Sequence, residues 1–344
     1  MSTLLNWGIL STGNIAGTYA KGVARSQTGR VVAVASRELA KARAFAAEHR
    51  IERAHGSYEA LLADPGVQAV YIATPHPQHL EWVMRTALAG KHVLCEKPMT
   101  MNLAEARTAA EACRASGVLF MEAFMYRCHP QTAKIVELIR DGALGRVELV
   151  QATFSYNRPF DPAHRVFNKA LGGGGILDVG CYPVSLSRLV AGAAGGQPFL
   201  DPEHVDGVAR IHPQSATDVY AAATLGFANG IIAQVSGGIG LWQERVARIY
   251  GSEGWLHVPE PFILDFDGGD SKLILHRHGA SAPEEIVVTA PPLYTTEADA
   301  FGRAFFAGAR EAPAMPVADS LGNMATLDRW RAAVGLAYDA DKGQ

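Results

Sequence analysis

Residues 4–10 form a short apolar run, followed by the turn Ser11-Thr12-Gly13-Asn14 and then by an alanine-rich stretch that reaches about Ala24. A continuous apolar run, a tight turn and a helical period predict strand, turn and helix. The same grammar recurs, with strands expected at 31–35, 67–73, 93–95 and 118–121 and helices at 38–49, 77–89 and 102–115. Strands that are apolar on both faces and alternate with helices belong to a parallel sheet covered on both sides. Residues 1–122 are therefore expected to form a doubly wound α/β domain.

Beyond a helix at 131–140 the pattern changes to longer strand-like stretches at 146–156, 219–227, 231–235 and 246–251, with others at 272–276 and 285–289. Asn229-Gly230 between two β-type runs is a hairpin signal. The Gly-rich stretch 191–196 reads as a surface loop, and 321–334 as a closing amphipathic helix. Residues 123–344 are thus expected to be an α+β domain around a large, mainly antiparallel sheet.

The 344 residues suffice for two domains, and 48% hydrophobic content with mean hydropathy +0.04 excludes a globally disordered chain. With 31 basic and 34 acidic residues the net charge is −3, which offers no field to nucleic acid or to an anionic membrane. Cys95, Cys113, Cys128 and Cys181 match neither a zinc site nor a disulfide framework, so free thiols in a reducing cytosol are expected. No cation precedes Lys21, which is unlike a secretory n-region, and no apolar run approaches the ~20 residues of a membrane span. The expectation is a soluble cytoplasmic protein.

In an open parallel sheet, ligands meet the carboxyl ends of the strands. The first such end, Gly8 to Ala16, is close to G-x-G-x-x-A with Ser11 at the first glycine position. Gly13 would let the backbone approach a pyrophosphate at the helix N-terminus beside Asn14 and Ile15; an ordinary tight turn is the other reading. The second end carries Ser36-Arg37 where an NAD enzyme would place an acidic residue. A hydroxyl and a guanidinium suit a 2′-phosphate, favouring NADP, with a solvated arginine as the alternative. The next ends are Thr74-Pro75-His76-Pro77-Gln78-His79 and Glu96-Lys97-Pro98. No metal is expected at His76 and His79, because no carboxylate or cysteine stands at ligand spacing. Lys97 is a cation held at the mouth of the nucleotide site, unless it is a surface lysine paired with Glu96.

These motifs, together with 121–127 (Met-Glu-Ala-Phe-Met-Tyr-Arg) and 171–183 (Leu-Gly-Gly-Gly-Gly-Ile-Leu-Asp-Val-Gly-Cys-Tyr-Pro), resemble the glucose–fructose oxidoreductase/inositol dehydrogenase/MocA family over nearly the whole chain. The similarity is greatest to the branch of dimeric dihydrodiol dehydrogenases and NADP-dependent D-xylose 1-dehydrogenases. It implies a Rossmann domain followed by a domain with an open-faced sheet that commonly makes the homo-oligomer contact. It also implies that Ser11, Thr12, Gly13, Asn14, Ile15, Ser36, Arg37, Thr74, Pro75, His76, His79, Glu96, Lys97 and Pro98 bind NADP, with Lys97 beside the nicotinamide. Tyr182 stands where inositol-type relatives carry histidine, which argues against an inositol dehydrogenase. Arg165 is a position at which branch members also have arginine, and so a candidate substrate contact.

Read on their own, Asp178 and Tyr182 are four residues apart and share a face if helical, while the preceding glycines allow close approach to a ligand. Pro183 marks either a break or the first turn of a new helix. The expected chemistry is hydride transfer between nicotinamide and the carbinol carbon of a sugar or cyclic vicinal diol. Tyr182 would take the hydroxyl proton, Lys97 would lower the tyrosine pKa, and Asp178 would orient the substrate. Three alternatives stay open: Lys97 as the principal acid/base with Tyr182 auxiliary, Tyr182 as a tyrosine packing the domain interface, and Asp178 as a helix cap. Phe154 and Met125 are candidate pocket walls, although such residues are more often core. A keto-sugar reductase and a non-catalytic NADP-binding regulator are the competing functions; retention of both Lys97 and Tyr182 disfavours the regulator.

Overall fold

The computed structural model describes residues 4–342; the outermost positions of the two expected domain ranges, 1–3 and 343–344, lie outside the described residues. The first half alternates β1 (Leu5–Leu10), α1 (Asn14–Val23), β2 (Gly29–Ala35), α2 (Leu39–His49), β3 (Arg53–His55), α3 (Tyr58–Leu62), β4 (Ala69–Ile72), α4 (His79–Leu88), β5 (His92–Glu96), α5 (Leu103–Ala115) and β6 (Phe120–Ala123). The six strands pair in the order β3-β2-β1-β4-β5-β6, all parallel. Strand order reverses between β1 and β4, which opens the ligand crevice of a Rossmann sheet there. Every residue of β4 is buried, as a strand covered on both faces requires. β3 and α3 are too short for a period to show in sequence; α3 is started by Ser57, whose hydroxyl accepts from the Ala60 N–H.

The second half contains α6 (Pro130–Arg140), β7 (Val147–Ser155), α7 (Cys181–Ala194), β8 (Pro202–Ile211), β9 (Asp218–Phe227), β10 (Ile232–Gly238), β11 (Val246–Gly251), β12 (Gly254–Val258), β13 (Gly269–Arg277) and β14 (Glu284–Ala290). Its sheet runs β14-β13-β12-β11-β7-β10-β9-β8, antiparallel except for the β7–β10 pair. The Asn229-Gly230 hairpin joins β9 to β10, with Gly230 at φ +83. Alternation sets the faces: Val219, Ala221, Ala223, Leu225 and Phe227 of β9 point to the core, and Tyr220, Ala222 and Thr224 point outward.

Two expectations need correction. The stretch 191–196 is a surface turn only at Gly195 and Gly196, because α7 continues to Ala194 with Ala191–Ala193 buried against the core, and a side chain on Gly192 would collide with the Phe199 backbone. Strands β8 and β12 were also not expected; β8 is an edge strand whose outward positions mix His204, Asp206 and Arg210 with Val208, and β12 has only five residues.

After β14 the chain returns to the first sheet through α8 (Leu293–Phe306) and α9 (Val317–Ala333). Phe301 lies 4.8 Å from Trp7 between ring centroids, and both are fully buried. Such burial of a phenylalanine contributes about 1.5–3 kcal/mol. The Asp299 carboxylate accepts from Ser26 Oγ at 2.5 Å and from the Gln27 and Thr28 N–H groups at 3.1 Å, tying α8 to the turn before β2. Among the described residues no helix is long and apolar enough to cross a membrane.

Candidate active site

The turn after β1 places Ser11 at φ +93, a conformation that favours glycine. Serine holds it by accepting the Gly13 N–H at 3.4 Å. Gly13 caps α1 with no side-chain hydrogen bond, so the first N–H groups of the helix, at Asn14 and Ile15, are left for a ligand. A Cβ on Gly13 would meet nothing closer than Ser11 Oγ at 3.8 Å, so open space lies over this turn. At the end of β2, Ser36 is buried and Arg37 is exposed without an ion pair among the described residues. The buried Thr74 hydroxyl at the end of β4 has no partner among the described residues. An uncapped helix start, open space and an orphaned hydroxyl at the crevice fit a dinucleotide phosphate group.

His79 does not face that crevice. It is fully buried, and its Nε2 and Nδ1 lie 2.8 Å from Thr74 O and 3.0 Å from Pro98 O. Burial lowers its pKa to about 4, so the ring is neutral and its single N–H serves one carbonyl at a time. His79 thus braces the two loops through its ring nitrogens. His76 is likewise buried, with Nδ1 3.2 Å from Gly172 O, and ties the β4 end to the Gly-rich segment. Glu96 also turns inward: Tyr71 OH donates to one of its oxygens, and burial raises its pKa.

Lys97 stands at the exit of β5, its side chain 13% exposed, and Nζ donates to Asp178 O at 2.7 Å. Asp178 lies in a π-type turn, Ile176–Gly180, that runs directly into α7, and Pro183, with no N–H to donate back into that turn, sits in the first turn of α7 while the Asp178 carbonyl takes Lys97 Nζ. The Asp178 carboxylate accepts from Arg165 Nη1 at 3.0 Å and from Tyr156 OH at 2.5 Å, and Lys97 Nζ is 4.0 Å from its Oδ1. Burial alone would raise the Asp178 pKa; the Arg165 and Lys97 charges and the Tyr156 hydrogen bond hold it well below the usual carboxylate range. Lys97, Asp178 and Arg165 are thus brought together.

Tyr182 is placed otherwise. Its ring is buried among Phe124, Phe154 and Phe262 at centroid distances of 5.3, 5.1 and 5.6 Å, and its hydroxyl lies 3.5 Å from Met125 Sδ. Burial raises its pKa well above the ordinary value. The cation lies over the ring face and not at the oxygen, 5.2 Å from the centroid. Phe154 and Met125, both buried, form the wall behind Tyr182.

Three further residues escaped sequence reading. Tyr156 ends an expected strand, but nothing local announced its bond to Asp178. Asp218 Oδ2 accepts the Ile176 N–H at 2.6 Å, and Tyr338 OH donates to Gly173 O at 2.5 Å. Both hold the Gly-rich turn from positions distant in the chain, so no motif spacing reveals them.

Residues 5–124 match the oxidoreductase family with an NAD-binding Rossmann fold, and residues 132–257 match the GFO/IDH/MocA C-terminal domain. The chain is 33% identical to the trans-1,2-dihydrobenzene-1,2-diol dehydrogenase of Bos taurus, covering 98% of this chain and 99% of that protein. It is 34% identical to D-xylose 1-dehydrogenase (NADP(+)) 2 of Haloferax volcanii, over 97% and 99% of the two chains. Among solved structures it is similar to a 3-ketoreductase from Actinomadura kijaniata in complex with NADP and TDP-benzene, with TM-score 0.86 and 27% identity over 96% of this chain and 98% of that one. The two matched halves, full-length relatives and a strand-end site built on Glu96-Lys97-Pro98 make the chain a member of the GFO/IDH/MocA family of oxidoreductases.

Proposed function

We propose that this oxidoreductase moves hydride between NADP and a carbinol carbon of a sugar or cyclic vicinal diol. The observation that carries the reading is the pairing of Asp178 Oδ1 with Lys97 Nζ across 4.0 Å at the crevice. An anionic acceptor and a cationic donor at that spacing suit a hydroxyl seated between them. NADP, when bound, supplies a nicotinamide C4 that exchanges hydride. Ser11, Thr12, Gly13, Asn14 and Ile15 would hold its pyrophosphate, Ser36 and Arg37 its 2′-phosphate, and Thr74, Pro75, Lys97 and Pro98 would border the nicotinamide end.

Lys97 is the group that exchanges a proton with the substrate oxygen, and Asp178, kept ionised, orients the hydroxyls. Tyr182 backs the site as an auxiliary, because its hydroxyl is turned to Met125. The same residues serve keto-sugar reduction, with the Lys97 ammonium as proton donor, and the likeness to a 3-ketoreductase supports that direction as a second reading.

A second copy of the chain is the inferred partner of the open sheet face. Val208, Ile232 and Tyr220 are 74%, 48% and 38% exposed there, around a concavity of about 680 Å³. The four unbridged cysteines support a cytoplasmic location. The deciding experiment is initial-rate reduction of NADP⁺ and NAD⁺ with aldoses, inositols and a cyclic trans-diol, beside oxidation of NADPH with keto-sugars. Turnover of an aldose, diol or keto-sugar with the NADP couple supports the reading; silence across the panel despite NADP binding overturns it.

A further inference from the structure

Tyr156 follows the last residue of β7, and its N–H donates to Gly238 O at 3.0 Å, at the end of the parallel neighbour β10. The turn carrying Asp178 lies directly on that strand end. A Cβ on Gly175 would stand 2.9 Å from Gly238 Cα, and one on Gly237 would stand 2.7 Å from Gly180 Cα. Contact between backbones leaves no slack, so the glycines set the height of Asp178 over the sheet. From there Tyr156 OH reaches Asp178 Oδ2 at 2.5 Å.

The other oxygen, Oδ1, takes Arg165 Nη1 at 3.0 Å and faces Lys97. The two partners differ in kind. Tyr156 is rooted in the eight-stranded sheet, whereas Arg165 comes from the connection 157–168 and its side chain is 50% exposed against 5% for Asp178. A carboxylate bonded through one oxygen to a fixed donor cannot rotate to offer the other oxygen indifferently.

We propose that Tyr156 is a positioning residue of the reaction: it holds Asp178 Oδ2, so that Oδ1, which carries the exchangeable Arg165 guanidinium, is the oxygen that meets a substrate hydroxyl opposite Lys97. The inference rests on the function proposed above and adds the device that selects one carboxylate oxygen. The other charged or titratable groups facing Asp178 are Lys97, Arg165, His76, His164, Cys181 and Tyr182. Removing the phenol oxygen leaves all six in place.

The test is Tyr156→Phe in the full chain, saturated with NADPH. The Asp178 carboxyl stays ionised across the working pH range, so its ¹³C signal, assigned through Asp178→Asn, is read at neutral pH, where the phenylalanine variant should show a displaced carboxyl resonance. With a substrate that wild type turns over, kcat should fall at least about tenfold while NADPH affinity and Tm stay at wild-type values. An unchanged carboxyl resonance overturns the proposal, as does a loss of kcat that merely tracks losses of NADPH affinity and Tm. If wild type is silent on every substrate, the function above fails, whereas the hold of Tyr156 on Asp178 stands or falls on the resonance alone.

Discussion

Lys97 Nζ lies 5.2 Å from the centroid of the Tyr182 ring, over its face, while the Tyr182 hydroxyl turns to Met125 Sδ at 3.5 Å. The cation over the face steadies the ring, while burial holds the hydroxyl pKa well above the ordinary value. Lys97→Met should therefore lower kcat by about 10²–10⁴-fold, the usual range for removing a general acid or base. Tyr182→Phe should cost less than about tenfold, because its buried ring keeps its aromatic contacts. Equal losses in the two variants would place the phenol at the reacting oxygen and refute this order.

Arg37 carries no ion pair among the described residues and stands beside the buried Ser36 at the end of β2. An arginine reserved for a 2′-phosphate contributes to one cofactor only. Arg37→Ala should raise the NADP KM at least about tenfold, the equivalent of one charge-assisted hydrogen bond, and leave the NAD KM within about twofold. Equal changes in both KM values would mean that the guanidinium does not meet the phosphate.

Much of this was legible in the sequence because the first sheet is apolar on both faces: β1, β2, β4 and β5 stand out as runs between helices. The strand-end rule then pointed to Ser11, Ser36, Thr74 and Lys97 without any tertiary information. What stayed hidden depends on distant pairing. The return of α8 to pack Phe301 on Trp7 has no local signal, nor has the orientation of the Tyr182 hydroxyl. The bracing by His79 was hidden for the same reason, since nothing in its strand-end loop announces that both ring nitrogens lie against carbonyls. Edge strand β8 escaped because His204, Asp206, Gly207 and Arg210 interrupt its apolar positions, leaving no clean period of two.

Glu297 of α8 is fully buried, and neither carboxyl oxygen has a hydrogen-bond partner among the described residues. Burial, and then the charge of Glu96, raises its pKa well above the ordinary value, so the folded protein holds it protonated. In the unfolded chain a glutamate ionises near about 4.3. Above that pH the unfolded state binds fewer protons than the folded one, and stability falls as pH rises toward the folded pKa. Glu297→Gln lacks this penalty. Its Tm relative to wild type should climb steadily between pH 4 and pH 9, and a difference that does not change with pH would show that the buried group is already ionised.

Arg127, just past β6, donates to Asp319 of α9 at 2.7 Å, with side chains 4% and 0% exposed. The same carboxylate faces Arg188 of α7, whose guanidinium also reaches Asp201. One buried anion thus joins the end of the parallel sheet to α7 and α9, and holds two cations that have lost their water. Asp319→Asn leaves both cations with a neutral partner in low dielectric, a change that typically costs ~3–5 kcal/mol. Asp201 is half in solvent and can compensate Arg188 only in part, so Arg127 bears most of the loss. Arg127→Met together with Asp319→Asn removes one cation as well as the anionic charge, and should recover part of that stability, by roughly 1–3 kcal/mol if the pair is coupled. Denaturant unfolding of the two single variants and the double variant measures the coupling. Simple additivity would show that Arg127 and Asp319 do not interact energetically, and that Arg188 alone depends on the buried carboxylate.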